Sequence, residues 1–312
     1  MPQPRRKDVG LGDNRGRWVE TAHPKGAEIM LDPQPSSRNV ASRRTAIQLI
    51  DGPLAPYREA LTLIGGPAVM LRTTDRFGLN TETVDADFAI TPQLVTDEPN
   101  LETQLLAAGF QLRSESRPGL WGRDPYIDPV SGRQFFNEMF DLDCPQAFTG
   151  NASPKRRSST ALHRHGRRST GATPGVELAA VDRGLMDVPD LADPSRRTSM
   201  WVASQAGLIC AKGYKIGERL YETDGRREPK GKDYLDLFLL LDSSDPDTVR
   251  DVFRWHGADS VIGGNVRHGA ALLARALRDE RVSADLVDAI GGRVPTGVVD
   301  AAYETWRWVF PA

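Results

Sequence analysis

The stretch "TVDADFAI", residues 83–90, sets two carboxylates one residue apart inside an apolar run. As a strand it points Asp85 and Asp87 to one face and Val84, Ala86 and Phe88 to the other. Two neighbouring carboxylates raise each other's pKa, and a cation between them removes that cost. Hard oxygen donors of this kind suit Mg²⁺, or Mn²⁺, whose shell waters and substrate phosphates complete. The alternative is an acidic strand face left to solvent. "FDLDC" repeats the pattern, so Asp141 and Asp143 share a face and either supplies a third carboxylate. Upstream, the run "LTLI" ends in Gly65 and Gly66. A glycine pair between strand and helix lets backbone approach a phosphate, with helix N-terminal N–H groups free to bind it. A tight turn needs the same residues.

Cationic residues follow in the second half. Lys212 lies in the small, apolar stretch "GLICAKG", where burying an ammonium is costly without an anion. A triphosphate is one partner; Asp233 or Asp236 is the other, and then the lysine is structural. Lys215 and Arg219 follow at helical spacing and extend a stripe suited to phosphate. In "KDYLDLFLLL" Asp233 and Asp236 share a helix face. Asp233 either faces the site, with Asp236 supporting it, or caps its helix. The segment "PKRRSSTALHRHGRRS" holds Lys155, Arg156, Arg157, Arg164, Arg167 and Arg168 with no acid among them. It reads as a patch for an RNA backbone, or as a solvated loop.

These residues need elements to hold them. Residues 1–42 are rich in Pro, Gly, Arg and Asp without a sustained period, and read as a flexible arm. A helix is expected from about Arg43 to Ile50 and a second short one at "LAPYREALTL". "LTLI" reads as a strand and "PAVMLRTT" as a helix with Pro67 in its first turn. "TVDADFAIT" is a strand, "NLETQLLAAG" a helix, and "QFFNEMFDLDCP" a strand. The expected layout is an α/β core over 43–148, a basic loop over 149–175 and an all-helical part over 176–312, hence an α+β fold class. "SMWVASQAGLICAKGYKIGERLYE" is expected as one helix or two.

A chain of 312 residues with 39% apolar content builds a real core. A formal net charge of −2 argues against a wholesale electrostatic nucleic-acid binder, so any such contact must be local. The two cysteines, Cys144 and Cys210, lack metal spacing and suggest neither a disulfide framework nor a zinc site. No apolar run reaches spanning length, and "MPQPRRKDVG" lacks an apolar stretch behind its charges. A cytoplasmic setting without membrane contact is expected.

Taken in order, "LIGGPAVML", the D-x-D strand and a third acidic strand resemble the nucleotidyltransferase fold of the DNA polymerase beta superfamily. "LICAKGYKIGERLYETDGRREPKGKDYLDLFLLL" resembles the AbiEii-type nucleotidyltransferases, which include abortive-infection and MenT toxins. Lys212, Arg219, Lys232, Asp233, Tyr234 and Asp236 fall on that pattern. The likeness covers roughly residues 45–245, in patches. It implies a polymerase-beta-like core, a small mixed sheet with helices, followed by a helical bundle. It implies metal ligands Asp85, Asp87 and Asp141, a nucleotide site at Gly65, Gly66, Lys212, Lys215 and Arg219, and catalytic roles for Lys212 and Asp233. The implied activity moves a nucleoside monophosphate from an NTP to an acceptor such as tRNA, in a toxin held by a cognate antitoxin. The alternatives are transfer to a protein or small molecule, or a degenerate nucleotide- or RNA-binding module. Three features depart from the pattern: Pro67 follows the glycines where a small polar residue is usual, leaving Thr73, Thr74 or Thr83 to supply a hydroxyl; the loop "TTDRFGLNTET" before D-x-D is long; and Lys215 stands where alanine is preferred.

Overall fold

A computed structural model describes residues 35–79, 81–149, 161–222 and 228–311. The first helix, α1 (Ser37–Asp51), starts where the Ser36 hydroxyl accepts the Asn39 N–H. It therefore begins inside the segment expected as an arm, whose residues 1–34 lie outside the described residues. A 3₁₀ turn, Ala55–Ala60, leads to β1 (Leu61–Ile64), α2 (Gly65–Arg72) and β2 (Ala86–Ile90). Then come α3 (Leu101–Ala107), capped by Asn100, β3 (Gln111–Leu112), β4 (Leu120–Ile127) and β5 (Gln134–Pro145). β6 (Gly171–Thr173), α4 (Glu177–Val181), β7 (Arg183–Pro189) and β8 (Arg197–Ala203) follow. The rest is helical: α5 (Gln205–Gly217), extended by a π turn over Glu218–Glu222, α6 (Gly231–Ser243), α7 (Pro246–Gly257), α8 (Gly263–Ala276), α9 (Glu280–Ile290) and α10 (Thr296–Val309).

The strands make one mixed sheet in the order β3-β4-β5-β2-β1-β8-β7, with β6 added to β5. β2 runs parallel to β5 and β1 parallel to β8, and β1 pairs antiparallel with β2. α1 packs over β2, β5 and β8, while α2 and α4 pack on the strands with α5. Alternation decides which side chains enter this core. Phe88, Phe140 and Leu142 are fully buried, and Asp87, Asp141 and Asp143 alternate with them. The helices close on one another through Trp306, whose indole N–H donates to the Leu241 carbonyl at 3.0 Å.

The sheet does not end near residue 148. Three strands between 171 and 203 belong to it, and β8 lies against the central β1, so the segment 176–203 is not helical beyond the single turn and a half of α4. "RTSMWVA" alternates inward at Thr198, Met200 and Val202. That period of two is masked because α5 follows it after one residue, and a short apolar run fits either element. The β7–β8 hairpin closes at Asp190 and Asp193, whose carboxylates accept the N–H groups of Ala192 and Ser195, the Asx-turn device. Of the loop expected over 149–175, residues 150–160 lie outside the described residues; the rest is loop and turn, interrupted by a 3₁₀ turn at His163–His165 and by β6. Among the described residues no helix is long and apolar enough to cross a membrane.

Candidate metal and phosphate site

Parallel pairing of β2 with β5 sets Asp87 opposite Asp141. Asp85 precedes β2, and its carbonyl is held by the Ser42 hydroxyl at 2.6 Å and the Thr83 hydroxyl at 3.2 Å. One carboxylate oxygen from each of Asp85, Asp87 and Asp141 lies within 4.8 Å of the others. Asp143, one step further along β5, accepts the Thr173 hydroxyl at 2.5 Å and stands outside that group. Asp141 rather than Asp143 is thus the third carboxylate.

Asp87, Asp141 and Asp143 are poorly compensated by protein alone. Burial raises the Asp87 carboxyl well above the ordinary range, and the charges of Asp85, Asp141 and Asp143 add to it against Lys232. Burial, then Asp143 and Asp85, push Asp141 up to about 7, with Arg113 and Arg117 opposing. Burial lifts Asp143 to about 6 against the Thr173 bond, Lys215 and Arg117. Converging hard oxygen donors that repel one another fit a divalent cation, so the triad is able to hold a metal ion.

The electrostatics give a testable sign. Folded-state values of about 7 and about 6 exceed the unfolded carboxylate value of about 4. Each group then contributes stability that is complete below pH ~4 and lost as pH rises through 6–7. The metal-free protein should lose melting temperature between pH 5 and 8 relative to Asp141→Asn. Added Mg²⁺ should restore more of it at pH 8 than at pH 5.5, since ligands must shed protons to bind. Differential scanning fluorimetry with and without EDTA reads both; a Mg²⁺ gain that shrinks with pH would contradict the assignment.

The β1–α2 turn abuts this group. Gly65 has φ +64°, and a Cβ there would overlap the Asp87 side chain, 2.7 Å from Cγ and 2.9 Å from Cβ. A Cβ on Gly66 would meet Lys232 Nζ at 2.7 Å and Thr83 Oγ1 at 2.9 Å. Glycine is required at both positions because an ammonium, a hydroxyl, a carboxylate and the start of α2 crowd one spot. Thr83 is therefore the hydroxyl beside the glycines. Thr73 bonds back to the Val69 carbonyl and Thr74 N–H donates to Ser243.

The cationic stripe of α5 converges on α6. Lys212 Nζ lies 2.5 Å from Asp236 and 3.8 Å from Asp233. Lys215 Nζ reaches Asp233 at 2.8 Å, and Arg219 donates to it at 2.9 Å. The Lys230 backbone N–H donates to the same carboxylate at 3.2 Å, so Asp233 also caps α6. Burial pushes the Asp233 carboxyl up, but Lys212 and Lys215 outweigh it and hold it below the usual range. Burial likewise lowers Lys212, and Asp236 and Asp233 more than reverse this. Lys212 is 7% exposed, so its partner is Asp236, within the protein. Of the two partners expected for it, a carboxylate is the one the structure supplies, with the Asp87 charge also in reach, and Asp233 ties Lys212, Lys215 and Arg219 together. Lys212→Met should cost about 3–5 kcal/mol, since it strands buried carboxylates, one of which already carries an unpartnered oxygen at Asp236 Oδ1. Pairing it with Asp236→Leu should recover most of that stability in urea melts. Failure of the double variant to recover would mean that the lysine serves another partner. Lys215 keeps 43% of its side chain exposed; it pairs with Asp233, and its charge also reaches Asp143.

The basic segment divides. Lys155, Arg156 and Arg157 lie outside the described residues. Arg164 pairs with Asp97 at 3.1 Å on the surface. Arg167 is exposed, and Arg168 donates to the Ser114 carbonyl at 3.0 Å. His165 turns inward, accepting the Leu101 N–H at 3.2 Å and meeting Tyr57 edge-on.

Two further charged groups belong to the site. Arg113 NH1 lies 3.3 Å from Asp141 and 4.0 Å from Asp85, and the charge of Arg117 reaches Asp141 and Asp143. Neither carries a spacing signal, because two successive strand turns, β3–β4 and β4–β5, must fold before the β3–β4 turn reaches Asp141. Lys232 does carry one, as the lysine of "KDYLDL". Comparison of the chain with family models, with characterised proteins and with solved structures yields no match.

Proposed function

We propose that this chain is a Mg²⁺-dependent nucleotidyltransferase with a polymerase-beta-like core. It would move a nucleoside monophosphate from an NTP to an acceptor and release pyrophosphate. The observation that carries the reading is the meeting of Asp85, Asp87 and Asp141 with the Gly65–Gly66 turn, Thr83 and Lys232. Carboxylates for a metal and donors for phosphates are the two halves of such a site, and they adjoin here.

Asp85, Asp87 and Asp141 would hold Mg²⁺ or Mn²⁺, which supplies neutralisation of the phosphate oxygens. Lys232 and the first N–H groups of α2 would take the outer phosphates of the NTP, while the Thr83 hydroxyl stays on the Asp85 carbonyl. Lys215, half-buried on Asp233, adds positive charge that reaches Asp143. The acceptor hydroxyl attacks the α-phosphorus, its new O–P bond forming as the bond to the β-phosphate oxygen breaks. Its proton passes to a carboxylate, and Asp143, outside the metal group and raised to about 6, suits that task. Positioning and charge do the rest. An RNA acceptor, tRNA by resemblance, accords with the basic segment; the toxin role, a cognate antitoxin and a cytoplasmic setting come from the resemblance and composition.

Incubation with Mg²⁺, each α-labelled NTP and total tRNA tests this, beside Asp85→Ala/Asp87→Ala. Label on RNA with the intact chain alone supports the proposal and names the nucleotide. Equal labelling by both chains, or none on any acceptor in an extract, contradicts it.

A further inference from the structure

Across the sheet, the β3–β4 turn, β5, β2 and the β1–α2 glycine turn follow in order. The carboxylates occupy the middle of this line, and Gly66, Thr83 and Lys232 one flank. The other flank is arginine-rich. Arg113 opens the β3–β4 turn, its N–H donating to Leu120 at 2.9 Å and its guanidinium reaching Asp141. Arg117 stands exposed in the same turn. Arg168 is tied to it twice: its guanidinium donates to the Ser114 carbonyl, and its own carbonyl accepts the Gly119 N–H at 2.9 Å. Its Nε is buried without a partner. The turn is also pressed onto the sheet, for a Cβ on Gly119 would fall 2.6 Å from the Leu142 carbonyl and collide with the Gly171 N–H. The acid within the turn, Glu115, is exposed.

An in-line displacement puts the entering and leaving oxygens on opposite sides of the phosphorus. If the leaving phosphates lie against Gly66 and Lys232, the acceptor arrives from the β3–β4 side. A polyanion on that path meets Asp141 and Asp143 and needs cations to offset them. Guanidinium forks match phosphate oxygens and keep their charge at any working pH. Resting on the transferase reading, we propose that Arg113, Arg117 and Arg168 form a second phosphate site, which holds the backbone of an RNA acceptor beside the carboxylates.

The test is fluorescence anisotropy of end-labelled total tRNA with Mg²⁺ and no NTP, over a salt series. Arg117→Glu should weaken binding about tenfold and lower the salt slope by about one contact; Arg117→Gln should fall between. Arg133→Glu, the same charge change at the exposed tip of the β4–β5 hairpin, should change neither. RNA binding by Arg117→Glu equal to wild type, or no binding by wild type, overturns the site. Arginine-dependent binding without label transfer supports the site and removes the transferase reading. Label transfer undiminished in Arg117→Glu does the reverse.

Discussion

Asp87→Asn should cut nucleotidyl transfer by at least about 10³-fold while raising the melting temperature of the metal-free protein at pH 8. The two effects have one cause. Asp87 is pressed by its burial and by Asp85, Asp141 and Asp143, with Lys232 opposing. Its folded pKa lies above the unfolded value, so its carboxylate weighs against the fold once pH passes that point. An amide of the same shape removes the repulsion. It also removes a hard anionic ligand, and the loss of several kcal/mol of charge stabilisation corresponds to the expected fall in rate. Activity assays paired with melts in EDTA read both. Reduced activity with reduced metal-free stability would make Asp87 an ordinary structural acid.

Gly65→Ala should destabilise the chain by about 3 kcal/mol, while Gly78→Ala should cost only about 1 kcal/mol. The two glycines share φ +64°, so both pay the left-handed penalty of roughly 1–2 kcal/mol. They differ in surroundings. A Cβ at Gly78 meets nothing within 4 Å, whereas one at Gly65 overlaps Asp87; overpacking adds about 1–3 kcal/mol. Moving Asp87 to make room also opens the carboxylate group, so Mg²⁺ stabilisation should vanish in Gly65→Ala and survive in Gly78→Ala. Urea unfolding with and without Mg²⁺ reads the four states. Equal costs at the two positions would show that the turn does not abut Asp87.

Strand alternation made the acids legible: once 86–90 and 134–145 are strands, Asp87 and Asp141 share a face, and Asp85, just ahead of β2, joins them. The glycine pair was legible for the same reason, at the seam between two periods. What lay beyond reach was pairing. Nothing local distinguishes Asp236 from a triphosphate as the partner of Lys212, and that partner depends on how α5 packs on α6. Arg113 and Arg117 enter the site only because β3, β4 and β5 adjoin. β8 escaped because five of its residues run into a helix with a single residue between. The order of chemistry along the chain was therefore readable, while the extent of the sheet and the division of the lysines were not.

A metal–triphosphate site built on Asp85, Asp87 and Asp141 should bind cation and nucleotide together. Electron paramagnetic resonance of Mn²⁺ with the purified chain tests it most directly, with and without a non-hydrolysable NTP, beside Asp87→Asn. Bound Mn²⁺ is expected in the wild type, at least tenfold tighter once the nucleotide is present, and neither binding nor enhancement in the variant. Mn²⁺ binding that is indifferent to nucleotide, or equal in Asp87→Asn, would contradict it.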